Sequence, residues 1–262
     1  MLTMRIVARA ADLPASDPDE AADLAEAELT ALLDLLYRLA PGDWIRPTAC
    51  ARWTVHDVVA HVLGQVEEAV HPGKTLLRIV RGRHRHPELD RLDARNECQV
   101  DDYRGLPGPV LVDRLARFRQ RLAPAIRRRP RLLGVVRVPA PSRRLRPGYL
   151  DDAVFPRELW MHRADVAAAT SRPFVVDGHD RRIIEQAVRD LGRSWTGPPV
   201  VLRLTGTVDA AWLLGHGDPV GTVHVDAVRY LRALAGRERR PGLRVEGDDR
   251  LRSLATAARI PF

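Results

Sequence analysis

The sequence predicts a mainly α-helical protein, a helical bundle followed by a small α+β unit. Two observations lead there. Between residues 18 and 173, apolar residues return at helical spacing in segments that open on capping side chains and close at Pro or Gly. After about residue 175 the pattern changes to strand-like runs of four to six residues, separated by Gly, Asp or Pro. The expected boundary gives 1–173 to the bundle and 174–262 to the second unit.

Residues 1–16 read as a loose arm. Ser16-Asp17-Pro18-Asp19-Glu20 then supplies a capping side chain, a proline for the first turn and acids near the positive end of the dipole. The helix it starts runs to about Ala40, with Leu24, Leu32, Leu35, Leu36 and Leu39 on its apolar stripe and Pro41-Gly42 as its stop. Thr54-Val-His-Asp57 has the form of a capping box, with Asp where Glu or Gln is usual. The following helix reaches about Val70, and His61 stands beside Val58, Val62 and Val66 on its apolar face. Residues 74–92, rich in Arg and His, read as irregular or partly helical surface. Helical spacing resumes from about Leu89 to Arg128, interrupted near Gly105–Pro109, and a proline-rich loop follows through Gly148. Pro156 belongs in the first turn of the helix after that, which Ser171-Arg-Pro173 closes.

In the second unit, a helix over 177–192 precedes strands at 200–205, 208–213 and 222–225. A helix over 225–235 ends at Gly236, a short strand covers 243–245, and a last helix covers 248–259.

The basic excess, +8 over 262 residues, is carried by arginine, with Lys74 the only lysine. The arginines are scattered, apart from clusters at Arg127–Arg131 and Arg143–Arg146, and no nucleic-acid recognition motif accompanies them, so the charge reads as a soluble basic surface. No stretch is long and apolar enough to span a bilayer. The N-terminus lacks the apolar core of an export signal, and Cys50 and Cys98 are too few for a disulfide framework, which together predict a cytoplasmic protein.

The stretch from Phe155 to Asp165 carries the chemistry. Glu158 and His162 stand four residues apart, so on a helix both project from one face toward a common point. Bundles build metal sites from inward side chains on different helices. His61 from the second helix, with Glu158 and His162, makes a His/His/carboxylate set that leaves a fourth position open on a metal such as zinc. Asp165 lies on the same face and either orients His162 or pairs with Arg163 or Arg172. His56 is expected to be exposed, and Cys50 buried and inert. Trp53 and Trp160 are expected to pack beside the site rather than take part in it.

With these residues assembled, the chain resembles the mycothiol-dependent maleylpyruvate isomerase family, whose N-terminal part is a DinB-like metal-binding bundle. Three stretches carry the resemblance: Thr48–His61, Arg157–Asp165, and Leu231–Arg237 followed by Val245–Asp248. The last resembles the small sterol-carrier-like α+β domain that family members append. The resemblance implies a divalent metal, most simply zinc, on His61, Glu158 and His162, with mycothiol as the thiol cofactor in the open position. It also implies a small electrophilic substrate, isomerised or joined to the thiol, and it matches Arg237 to a Gly-Arg position suited to clamp a substrate carboxylate. The alternative is a non-catalytic module that keeps the metal and binds a ligand or partner.

Overall fold

The computed structural model describes residues 8–129, 138–140, 143–145, 147–206 and 208–261. It divides into two compact units: residues 17–175, and residues 176–262 together with the arm that ends at Ser16. From Ala8 onward the arm is not loose, and its residues 1–7 lie outside the described residues. Its short strand β1 (Ala8–Arg9) pairs in parallel with a strand of the second unit. A 3-10 turn follows, and Leu13 and Pro14 give their carbonyls to Arg189 and Gln186.

The first unit opens with α1 (Pro18–Leu36), capped by Asp17, whose Oδ1 accepts from the backbone of Asp19 and Glu20 at 2.9 and 2.8 Å. The helix stops four residues short of Ala40. Next comes α2 (Val55–Val70). Its capping box is complete: Thr54 N donates to Asp57 Oδ2 at 3.0 Å, and Asp57 N donates back to Thr54 Oγ1 at 3.3 Å.

Of residues 74–92, expected to be irregular or partly helical, those up to Arg85 form a regular helix, α3 (Gly73–Arg85). It packs on α4 (Arg91–Asp101), and the fit is close at Gly82, where a Cβ would stand 2.7 Å from the Ala94 carbonyl oxygen. The helix is inverted: Leu76, Leu77 and Val80 face solvent while Arg78 is 2% exposed. That inversion hid it from a reading that looks for an apolar inner stripe.

The Arg78 guanidinium answers several acceptors at once. It donates to Glu67 at 2.7 Å, Asp102 at 2.9 Å, the Gly64 carbonyl at 3.0 Å and Glu68 at 3.2 Å. Burial alone would lower its pKa, but the bonds to Asp102 and Glu67 outweigh that and raise it. Burial and the adjoining Glu67 carboxylate push the Tyr103 phenol up. Of the two surface histidines expected here, His84 is exposed, but His86 is half-buried with its Nε2 2.9 Å from Asp101.

The long helical region is three helices: α4, then α5 (Gly108–Ala116) and α6 (Arg119–Arg127). The break at 105–109 is present, and a second falls at Arg117–Phe118. Inside the proline-rich segment, β2 (Val138–Ala140) pairs antiparallel with β3 (Arg143–Leu145); most of the rest of that loop lies outside the described residues. A single turn, α7 (Pro147–Tyr149), passes through a π turn at Leu150–Val154 into α8 (Phe155–Thr170). Pro156 sits in the first turn of α8, and Ser171, in the left-handed region at φ 55°, closes it. The core gathers Leu29 and Leu32 from α1, Val58, Val62 and Val66 from α2, Leu115 and Leu122 from α5 and α6, and Leu159 and Val166 from α8. α8 packs against both α1 and α2, and so does α6, which makes these four helices the frame of the bundle.

The second unit contains α9 (Gly178–Ser194), β4 (Val200–Thr205), β5 (Ala210–Leu214), β6 (Gly221–Asp226), α10 (Ala227–Leu234), β7 (Arg244–Gly247) and α11 (Arg250–Ala257). Its sheet runs β1-β5-β4-β6-β7. β4 is antiparallel to β5 and parallel to β6, and β7 closes antiparallel on β6. This is the α+β unit expected from the strand-like runs, with one strand added from the arm.

Candidate metal centre

α2 and α8 face each other in the bundle and supply the site in two successive rungs. On one rung the rings of His61 and His162 meet edge to face, 5.0 Å between centroids and 80° between planes. Both are nearly out of solvent, at 2% and 3% exposure. One turn along each helix, Gln65 Nε2 donates to Glu158 Oε2 at 2.5 Å. His61 and Gln65, like Glu158 and His162, are separated by four residues, so each helix presents its pair on one face. The pairing of i with j and i+4 with j−4 is what two antiparallel helices produce.

The three residues expected as metal ligands thus share one face-to-face strip. The two imidazoles are in contact, while the Glu158 carboxylate is engaged by Gln65 on the adjacent rung. Gln65 was missed by the sequence reading. Its signal was its place four residues after His61, but glutamine carries no chemistry that singles it out.

Asp165 is 1% exposed, and its Oδ2 stands 3.6 Å from His162 Nδ1. The two other partners considered for it are taken elsewhere. Arg163 donates twice to Glu28, at 2.6 and 3.0 Å, and Arg172 donates to Asp43 at 2.7 Å. Cys50 is half-buried rather than buried, and its thiol donates to Asp165 across 3.7 Å. Cys50, His162 and Asp165 have donor atoms within 4.8 Å of one another, a soft sulfur added to the nitrogen and oxygen already present.

Trp53 belongs to the site as well, since its ring lies 4.6 Å from that of His61 while its Nε1 donates to Glu97 at 3.0 Å. Trp160, fully buried, packs on Phe174 instead. His56 is half-buried, and its Nε2 lies 2.7 Å from the Leu106 carbonyl. It belongs to the bundle's framework.

The donor chemistry fits a divalent metal of the borderline class: two imidazoles brought together in a nearly dry interior, a carboxylate one turn away and another behind one ring. Arg237 lies in the other unit. It is half-buried just past the end of α10, its N–H bonded to the Arg232 carbonyl at 2.8 Å, after Gly236 in the left-handed region at φ 76°.

Residues 25–167, more than half of the chain, match the family model described as the mycothiol maleylpyruvate isomerase N-terminal domain. The chain belongs to that family. Two solved structures resemble it over nearly their whole length. One is a mycothiol-dependent maleylpyruvate isomerase, 19% identical with a TM-score of 0.57. The other is a histidine-to-alanine variant of such an isomerase, 18% identical with a TM-score of 0.56. Each match covers 90% of this chain and 95% of the other. At these identities the likeness bears on the fold alone. No curated protein sequence matches. Among the described residues no helix is long and apolar enough to cross a membrane.

Proposed function

We propose that this member of the maleylpyruvate isomerase family is an enzyme that uses a metal-held low-molecular-weight thiol, mycothiol, on a small electrophilic substrate. The observation that carries the reading is the contact of His61 with His162 inside the bundle, on the strip that also holds Glu158. His61, Glu158 and His162 would hold the divalent cation, zinc being the simplest choice for imidazole and carboxylate donors. When bound, the cation favours thiolate over thiol and so supplies a nucleophile for reversible addition to an activated double bond, the chemistry of cis–trans isomerisation.

The chain's own residues prepare the site. The Asp165 carboxylate beside His162 Nδ1 favours a proton on that nitrogen and leaves Nε2 as the lone-pair donor. Trp53 fixes the plane of the His61 ring and covers it from water. Gln65 holds the Glu158 carboxylate on the shared face until a stronger partner takes it. Arg237 is the residue proposed to bind the substrate carboxylate, because a planar guanidinium pairs bidentately with it. Isomerisation is preferred to thiol transfer on the strength of the family. A reduced cytoplasmic thiol pool is the matching environment.

Metal content by elemental mass spectrometry, on wild type and on His61→Ala and His162→Ala after dialysis and refilling, tests the centre. Near-stoichiometric metal in wild type and little in either variant is expected. A wild type that holds no zinc, nickel or iron would sink the reading. Turnover of an unsaturated dicarboxylate that requires mycothiol, with KM raised in Arg237→Ala, then tests the chemistry.

A further inference from the structure

A cationic groove in the bundle has no part in that reading. It lies between the end of α2 and the outward face of α6, holds about 530 Å³, and is lined by Val70, Pro72, Arg121, Pro124, Arg128 and Arg129. Arg121, Pro124 and Arg128 share one face of α6 by their spacing of three and seven residues.

The neighbouring Arg127 shows what an ordinary surface arginine does here, since it pairs with Asp19 and Asp23 on α1. Arg121 and Arg128 do not follow it. Among the described residues, neither forms a salt bridge, and Arg121 rests on the Phe118 ring with Nη2 3.2 Å from His71 Nε2. Arg129 is half-buried, and burial together with the nearby Arg95 pushes its guanidinium down despite Asp152 and Glu68. Positive potential is therefore concentrated in a concave place with apolar walls, the combination that small anionic ligands select.

We propose that this groove binds a small organic anion, its carboxylate or phosphate held by Arg121, Arg128 and Arg129 and its carbon body lying on Val70, Pro72 and Pro124. The site is distinct from the histidine pair. Val70 follows His61 by nine residues, roughly 13 Å along a helix axis, and a four-carbon diacid cannot bridge that distance.

The test is calorimetric titration of the purified protein with succinate and, separately, with inorganic phosphate, at ionic strength held constant with chloride. Wild type, the double variant Arg121→Gln/Arg128→Gln and His162→Ala are compared, with thermal melts to confirm that all three are folded. Saturable one-to-one binding of at least one probe is expected, weakened at least tenfold in the double variant and unchanged in His162→Ala. The tighter probe identifies the head group. Absence of saturable binding, or equal affinity in the double variant, would overturn the groove. Loss in His162→Ala with retention in the double variant would also overturn it, by assigning the anion to the histidine pair.

Discussion

The bundle contains two buried polar clusters on the same helix, and they are built on opposite principles. At Glu67 and Glu68, near the end of α2, the acids are answered by cations from within the fold: Arg78, Lys74 and Arg95. At His61, two turns earlier, the facing groups are an imidazole and carboxylates, all of them electron-pair donors. The first cluster is complete as a piece of architecture and has no need of a ligand. The second gathers nitrogen and oxygen donors of the kind that the proposed cation would take. Polar burial alone does not distinguish a structural cluster from a functional one; under the proposed reading, the sign of what has been gathered would.

Removing the cation from the first cluster is the strongest way to break this contrast. Arg78→Ala leaves Glu67, Glu68 and Asp102 facing one another and should cost about 3–5 kcal/mol of stability, read from denaturant unfolding. Refolded protein should still take up metal. If unfolding is unchanged, the cluster is not structural.

Asp165→Asn should act on the second cluster with little effect on stability, lowering metal affinity by about 10–100-fold, measured by competition with a chelator. An unchanged affinity would remove Asp165 from the site. Thr54→Ala touches neither cluster and removes only the cap of the helix that carries both. A loss of about 1 kcal/mol is expected, with metal stoichiometry intact.

The smallest effect is a slope against pH. Burial alone would raise the Glu67 pKa, but hydrogen bonds from Lys74, Tyr103 and Arg78 outweigh it and leave the pKa below the ordinary glutamate value. A carboxylate depressed in the folded state contributes stability that is present above its unfolded pKa and lost as pH falls through the folded one. Acid unfolding of Glu67→Gln should therefore be shallower than that of wild type over that window.

What the sequence disclosed followed from how local each signal was. Asp17 and the Thr54–Asp57 box act within one turn, so their helices could be placed from a few residues. That His61, Glu158 and His162 share one strip was legible because helix geometry limits which residues four apart can face a common point. The orientation of α3 was not legible, because it depends on one guanidinium finding acceptors on α2 and at the C-cap of α4. Gln65 and the Cys50–Asp165 contact were hidden for a similar reason. Their roles arise from partners 93 and 115 positions away, and nothing in their own neighbourhoods announces them.

The pairing of β1 with β5 has a consequence for the order in which the chain is completed. Residues 17–175 are contiguous, so a growing chain can assemble the bundle as soon as they emerge. β1 emerges before the bundle, yet its partner lies some two hundred residues downstream, with Ala8 opposite Trp212. A strand made before the bundle is used only after it, and until synthesis passes β5 its edge stands open to other chains. Trimming the arm would therefore be felt at the edge of the C-terminal sheet, at the opposite end of the sequence from the cut.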